Sequence, residues 1–176
     1  MGLFKTKEEK EMRRKEKELE KEKKLMFFGD TMQSIGKIPM GKPVGLTLKP
    51  DKEVLNIHHD KIDITLPYER IKGFKIDNEV NLAKSGGTIG RSLVGGALFG
   101  GTGAIIGGIS GKGNTHIKWF ATLNYEDKDG NMCELNFIQR MLTGYYEGEQ
   151  KHWGAAQFEN KVNEIVSRYA ENITEL

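Results

Sequence analysis

The chain has 176 residues, 22 of them glycine, one cysteine and a formal net charge of +2. That length suits one domain with accessory segments and falls short of two full domains. A single cysteine, Cys133, excludes a disulfide scaffold and makes a reducing cytoplasm the expected setting.

The opening residues carry no apolar run of secretory type, so export by that route is not expected. Lys5 to Lys24 holds ten Lys/Arg and seven Glu, a net of +3, which leaves −1 for the rest of the +2 chain. Nucleic acid as a partner is thereby disfavoured, since no basic footprint lies outside the arm. The arm (1–28) reads as helical or disordered: its charged residues are good helix formers, and Glu11 with Lys15 sits at i,i+4. Met12, Leu19 and Met26, seven residues apart, form a seam too narrow for a coiled coil. A solvated arm and an arm that binds a protein partner both remain open. The start Met1-Gly2-Leu3-Phe4-Lys5-Thr6 also fits a loose acylation pattern.

From Pro43 the apolar period becomes two. Val44, Leu46 and Leu48 are followed by Ile57, then Ile62, Ile64 and Leu66, then Phe74 and Ile76, then Val80 with Leu82. The alternation resumes at Ile117, Trp119, Ala121, Leu123 and Tyr125, and again at Cys133, Leu135 and Phe137. Short alternating runs broken by Pro, Gly, Asn and Asp predict an antiparallel sheet with one buried face. Asp129-Gly130 predicts a hairpin. Phe158, Val162, Ile165, Val166 and Tyr169 follow helical spacing and predict an amphipathic C-terminal helix. Core packing is expected for Trp119 and for Trp153 near the start of that helix.

The stretch Ile62-Asp63-Ile64-Thr65-Leu66-Pro67-Tyr68-Glu69-Arg70-Ile71-Lys72-Gly73-Phe74-Lys75-Ile76 resembles the central strands of bacterial pleckstrin-homology (PH) and GRAM-type domains. The resemblance implies an α+β fold, a bent antiparallel PH-like sheet or barrel capped by the C-terminal helix, over 40–171. It also implies a module without catalytic residues. Two departures stand out: a Gly-rich insertion at 86–113, and a mixed-charge turn Lys49-Pro50-Asp51-Lys52-Glu53 in place of a phosphoinositide-binding cluster.

That insertion contains twelve glycines, and Ser92 to Ser110 is uncharged. Gly96 and Gly100, and Gly103 and Gly107, recur at four-residue spacing, which on a helix lines up small residues and admits close packing. Leu93, Leu98, Phe99, Ile105, Ile106 and Ile109 supply apolar contact surface. Interior glycine costs a helix about 0.8–1 kcal/mol relative to Ala, so lipid or a tightly packed partner must stabilise it. Gly100 to Gly103 reads as a turn between two short helical arms, each reaching about 14 Å and dipping into one leaflet without spanning it. The segment resembles glycine zippers of bacterial envelope proteins, which implies lipid contact or self-association. A loop or hairpin folded on its own domain also remains open.

Sharper chemistry finds no support. Gly101 to Gly107 lacks the βαβ frame of a dinucleotide site, and Gly113 stands where a P-loop needs Ser or Thr. The adjacent His58 and His59 would point to opposite faces of a strand, and no nucleophile elbow is present. No catalytic residue, metal or cofactor is expected. The reading is a non-catalytic cytoplasmic module, peripheral to or inserted in the inner face of the cell membrane. Its rivals are a soluble homo-oligomer packed through the zipper and a membrane-disrupting effector.

Overall fold

Alternating burial organises the chain into one bent sheet and one long helix. The computed structural model describes residues 10–17, 25–78, 81–82, 118–141, 144–145 and 150–174. Its strands are β1 (Met26–Thr31), β2 (Pro43–Lys49), β3 (Val54–His59), β4 (Ile62–Pro67), β5 (Ile71–Asn78), β6 (Trp119–Glu126), β7 (Met132–Met141) and the short β8 (Gly144–Tyr145). A 3-10 turn, Tyr68–Arg70, joins β4 to β5, and the C-terminal helix runs Trp153–Thr174. Across the sheet the order is β4-β3-β2-β1-β7-β6-β5, with β8 beside the end of β7. Every pairing is antiparallel. This is the PH-like bent sheet with a C-terminal helix that the sequence implied.

Most of the predicted inward residues form the core. Val44, Leu46 and Leu48 of β2, Ile57 of β3, and Phe74 and Ile76 of β5 are buried together with Trp119, Ala121, Leu123, Leu135 and Phe137, and Leu55, which the sequence reading did not single out, joins them, whereas Ile62, Ile64 and Leu66 of β4 are only half-buried at its margin. Asp129-Gly130 lies in the β6–β7 turn, where Asp127 accepts from the backbone N–H of Asp129 and Asn131 at 2.8 and 2.9 Å. Helical residues 10–17 are exposed throughout, and Glu11 and Lys15 approach to 3.7 Å.

Three details differ from the sequence reading. The sheet starts at Met26, before the alternation that begins at Pro43. Met26-Phe27-Phe28 closes the stretch assigned to the arm and, with Leu25 before it, reads as an apolar run rather than an alternation, yet Phe27 faces inward and Phe28 outward. Leu82 is helical rather than part of a strand, and Val80 lies outside the described residues. Trp119 is buried as expected, but Trp153 is 73% exposed, because it occupies the solvent side of the first helical turn.

β1 is where the sheet bends. Its first residues pair only with β2, whereas Gly29 and Asp30 pair with β2 and β7 at once. A Cβ at Gly29 would lie 3.0 Å from both the Ile138 carbonyl oxygen and Phe137 Cβ, so glycine alone fits this approach. Beneath the bend the Phe27 ring meets Phe74 edge-on at 5.5 Å, Phe137 at 6.2 Å and Phe158 of the helix at 6.3 Å. Phe158 also meets Phe74 edge-on at 5.2 Å. Offset and edge-on ring pairs of this kind add about 0.5–1.5 kcal/mol beyond area burial.

The helix also closes one edge of the sheet. β5 is terminal in the strand order, and its outward backbone groups are met by helix side chains. The Asn163 amide accepts from Phe74 N–H at 3.0 Å and donates to Phe74 C=O at 2.8 Å. Glu159 accepts from Ile76 N–H at 2.9 Å and is paired with Lys151. Asn163→Ala strands a donor and an acceptor on β5 and is expected to cost about 1–3 kcal/mol. Urea denaturation of the full chain checks this, with a lowered midpoint at unchanged slope expected.

Candidate functional site: the insertion root and the open outer face

β5 and β6 are register partners to their last residues, Asn78 opposite Trp119, so residues 79–118 stand in place of a hairpin loop. The strand ends for a local chemical reason. The Asn78 side-chain oxygen accepts from Asn81 N–H at 2.8 Å, the bond an N-cap makes to the first turn of a helix. Residues 81–82 are helical accordingly. Asp77 steadies the junction by accepting from Asn78 N–H at 3.0 Å and from the Asn81 side chain at 2.9 Å, with Lys75 at 3.1 Å. Burial pushes the Asp77 carboxyl up, but the hydrogen bonds from Asn81, Lys75 and Asn78 outweigh it and hold it below the ordinary value of 3.8.

An apolar contact completes the root. Leu82 is 4% exposed and packs with Phe120, Met32 and Ile138, on the side of the sheet opposite the main core. Phe120, Thr122 and Asn124, the outward residues of β6, are all buried. The insertion thus leaves a rigid strand pair through a capped turn pinned by Leu82.

The outer side of β1–β4 is different in kind. Register places Phe28, Gly45, His58 and Asp63 in one row and Met26, Thr47, Asn56 and Thr65 in the next. These rows, with Lys49, Lys52 and Val54, line an open concavity of about 610 Å³. Met26 and Phe28 leave 39% and 37% of their surface in solvent there. At its far rim Asp63 accepts from Asn56 at 2.8 Å and meets His58 Nδ1 at 2.9 Å. Those two hydrogen bonds, Asn56 first, hold the Asp63 carboxyl below its usual value. Such a face can offer apolar contact flanked by hydrogen-bonding groups. Among the described residues no group of three His, Cys, Asp or Glu is placed to hold a metal ion.

The zipper residues singled out from the sequence, Gly96, Gly100, Gly103 and Gly107 with Leu93, Leu98, Phe99, Ile105, Ile106 and Ile109, lie outside the described residues. Among the described residues no helix is long and apolar enough to cross a membrane. Sequence reasoning missed the concavity because it missed β1. The available signal was the Met26 and Phe28 pair flanking the inward Phe27.

A bent seven-strand sheet with a capping helix and a long glycine-rich insertion between β5 and β6 defines a PH-like domain of unusual build. Residues 33–124, just over half of the chain, match the family of glycine zipper containing PH domains, and the chain belongs to that family. No curated protein and no solved structure gives a significant match.

The junction predicts a pH signature. A carboxyl held lower in the folded than in the unfolded chain contributes stability above the unfolded pKa and loses it as pH falls through the folded value. Asp77→Asn should therefore destabilise the protein at neutral pH, and the gap to wild type should shrink below about pH 3.8. Thermal unfolding of both proteins across pH 2.5–7, an interval of about this width being needed to cover both protonation states, checks the sign.

Proposed function

We propose that this protein is a non-catalytic module that uses its PH-like sheet as a rigid base and its glycine zipper to join a membrane, on the inner face of the cell. A PH-like domain with a glycine zipper points to a binding or assembly role. The observation that carries the reading is the insertion's setting. An uncharged run, Ser92 to Ser110, is carried between two residues, Asn78 and Trp119, that are already register partners. The β5–β6 ladder is unbroken from Gly73 to Asn78, so the insertion can meet lipid while the sheet stays folded. Gly96, Gly100, Gly103 and Gly107 supply close packing between helices, and Phe99, Ile105 and Ile106 supply apolar contact. The exposed charged helix at residues 10–17 offers contacts to headgroups or to a protein partner.

Liposome co-flotation tests the reading directly. The full chain is expected to float with anionic vesicles, and a version with residues 92–110 replaced by a short polar linker is expected to stay at the bottom. Light scattering after size exclusion runs beside it. If neither protein floats and the replacement turns an oligomer into a monomer, the zipper is a subunit interface and the membrane reading is lost.

A further inference from the structure

We propose that the free edge of β4 is a self-association surface, at which β4 pairs antiparallel with β4 of a second copy of this chain. The surface is separate from the zipper and does not depend on the membrane reading. The strand order leaves two terminal strands, β5 and β4. β5 is closed by Asn163 and Glu159 of the helix. β4 pairs with β3 through six consecutive residues, and among the described residues nothing hydrogen-bonds to its other side.

Sheet proteins ordinarily blunt such an edge with lysine, proline, a bulge or a covering helix. The β4 sequence Ile-Asp-Ile-Thr-Leu-Pro carries a single charge, Asp63, and no lysine, and its register with β3 is unbroken. Its proline comes only at the last position. The helix packs mainly on β5, β1 and the 3-10 turn.

The strand is also complementary to itself. Pairing about a two-fold axis at Ile64 sets Ile64 against Ile64, Ile62 against Leu66 and Asp63 against Thr65. Ile62, Ile64 and Leu66 are half-buried at the margin of the core, so the pairing would continue one apolar row through both copies. Asp63 and Thr65 are exposed on the other face, and each carboxylate then opposes a hydroxyl. Sliding the register by one residue on each strand toward Asp63 would put the two carboxylates face to face, which cross-strand pairing disfavours.

The test uses the full chain. Amide hydrogen exchange over Ile62–Pro67 is expected to slow as protein concentration rises, together with self-association in sedimentation velocity. Thr65→Asp places a carboxylate opposite Asp63 of the second copy at both symmetry-related pairs, and is expected to weaken association about tenfold. Combining it with Asp63→Lys restores opposite charges and is expected to recover association. Both positions are exposed, and circular dichroism confirms that each variant is folded. Exchange in β4 that ignores concentration, or a Thr65→Asp protein that associates as tightly as wild type, overturns the proposal. Failure of the double variant to recover association overturns the register.

Discussion

The hydrogen bonds that Asn163 and Glu159 make to the edge of β5 tie the C-terminal helix to the sheet. A terminal strand cannot leave its backbone groups buried and unpaired without a cost of about 1–3 kcal/mol each. The helix removes that cost with side chains, and in doing so fixes its own position along β5. Phe158 of the same helix packs on Phe27 and Phe74, so one element both closes the edge and completes the core. The same closure leaves the β5–helix groove shut to an added strand over Phe74–Ile76, a mode by which sheets commonly take peptides.

A strand pair held this firmly can carry a large insertion. β5 and β6 remain in register up to Asn78 and Trp119, and the N-cap and the Leu82 contact absorb the change of direction. Loop-closure entropy rises only slowly with length, by about 0.6 kcal/mol per doubling. The scaffold therefore constrains the composition of the insertion weakly.

Much of the fold was legible because burial alternates with period two on the strands and follows helical spacing at Phe158, Val162 and Ile165. The Asp129-Gly130 turn was legible from its own chemistry. β1 was not, since four apolar residues in a row, Leu25 to Phe28, conceal which of them face inward. The decisive asymmetry there is tertiary: Gly29 is needed where β1 meets β7, and nothing local announces that contact. The helix clasp was hidden for the same reason, because Asn163 and Glu159 sit on what reads as the polar face of an amphipathic helix. Their partners are backbone groups more than eighty residues away in sequence. The zipper was the reverse case, plain in sequence by composition alone, and its residues fall outside the described part of the structure.

The proposed membrane role requires that the insertion enter lipid while the sheet does not. An environment-sensitive dye placed at Phe99→Cys in a Cys133→Ser background, compared with the same dye at Lys128→Cys in the exposed β6–β7 turn, tests it on vesicles carrying lipid-borne nitroxide quencher. Strong quenching and a blue shift are expected at position 99 and neither at position 128. Equal, unquenched emission at both positions would contradict it.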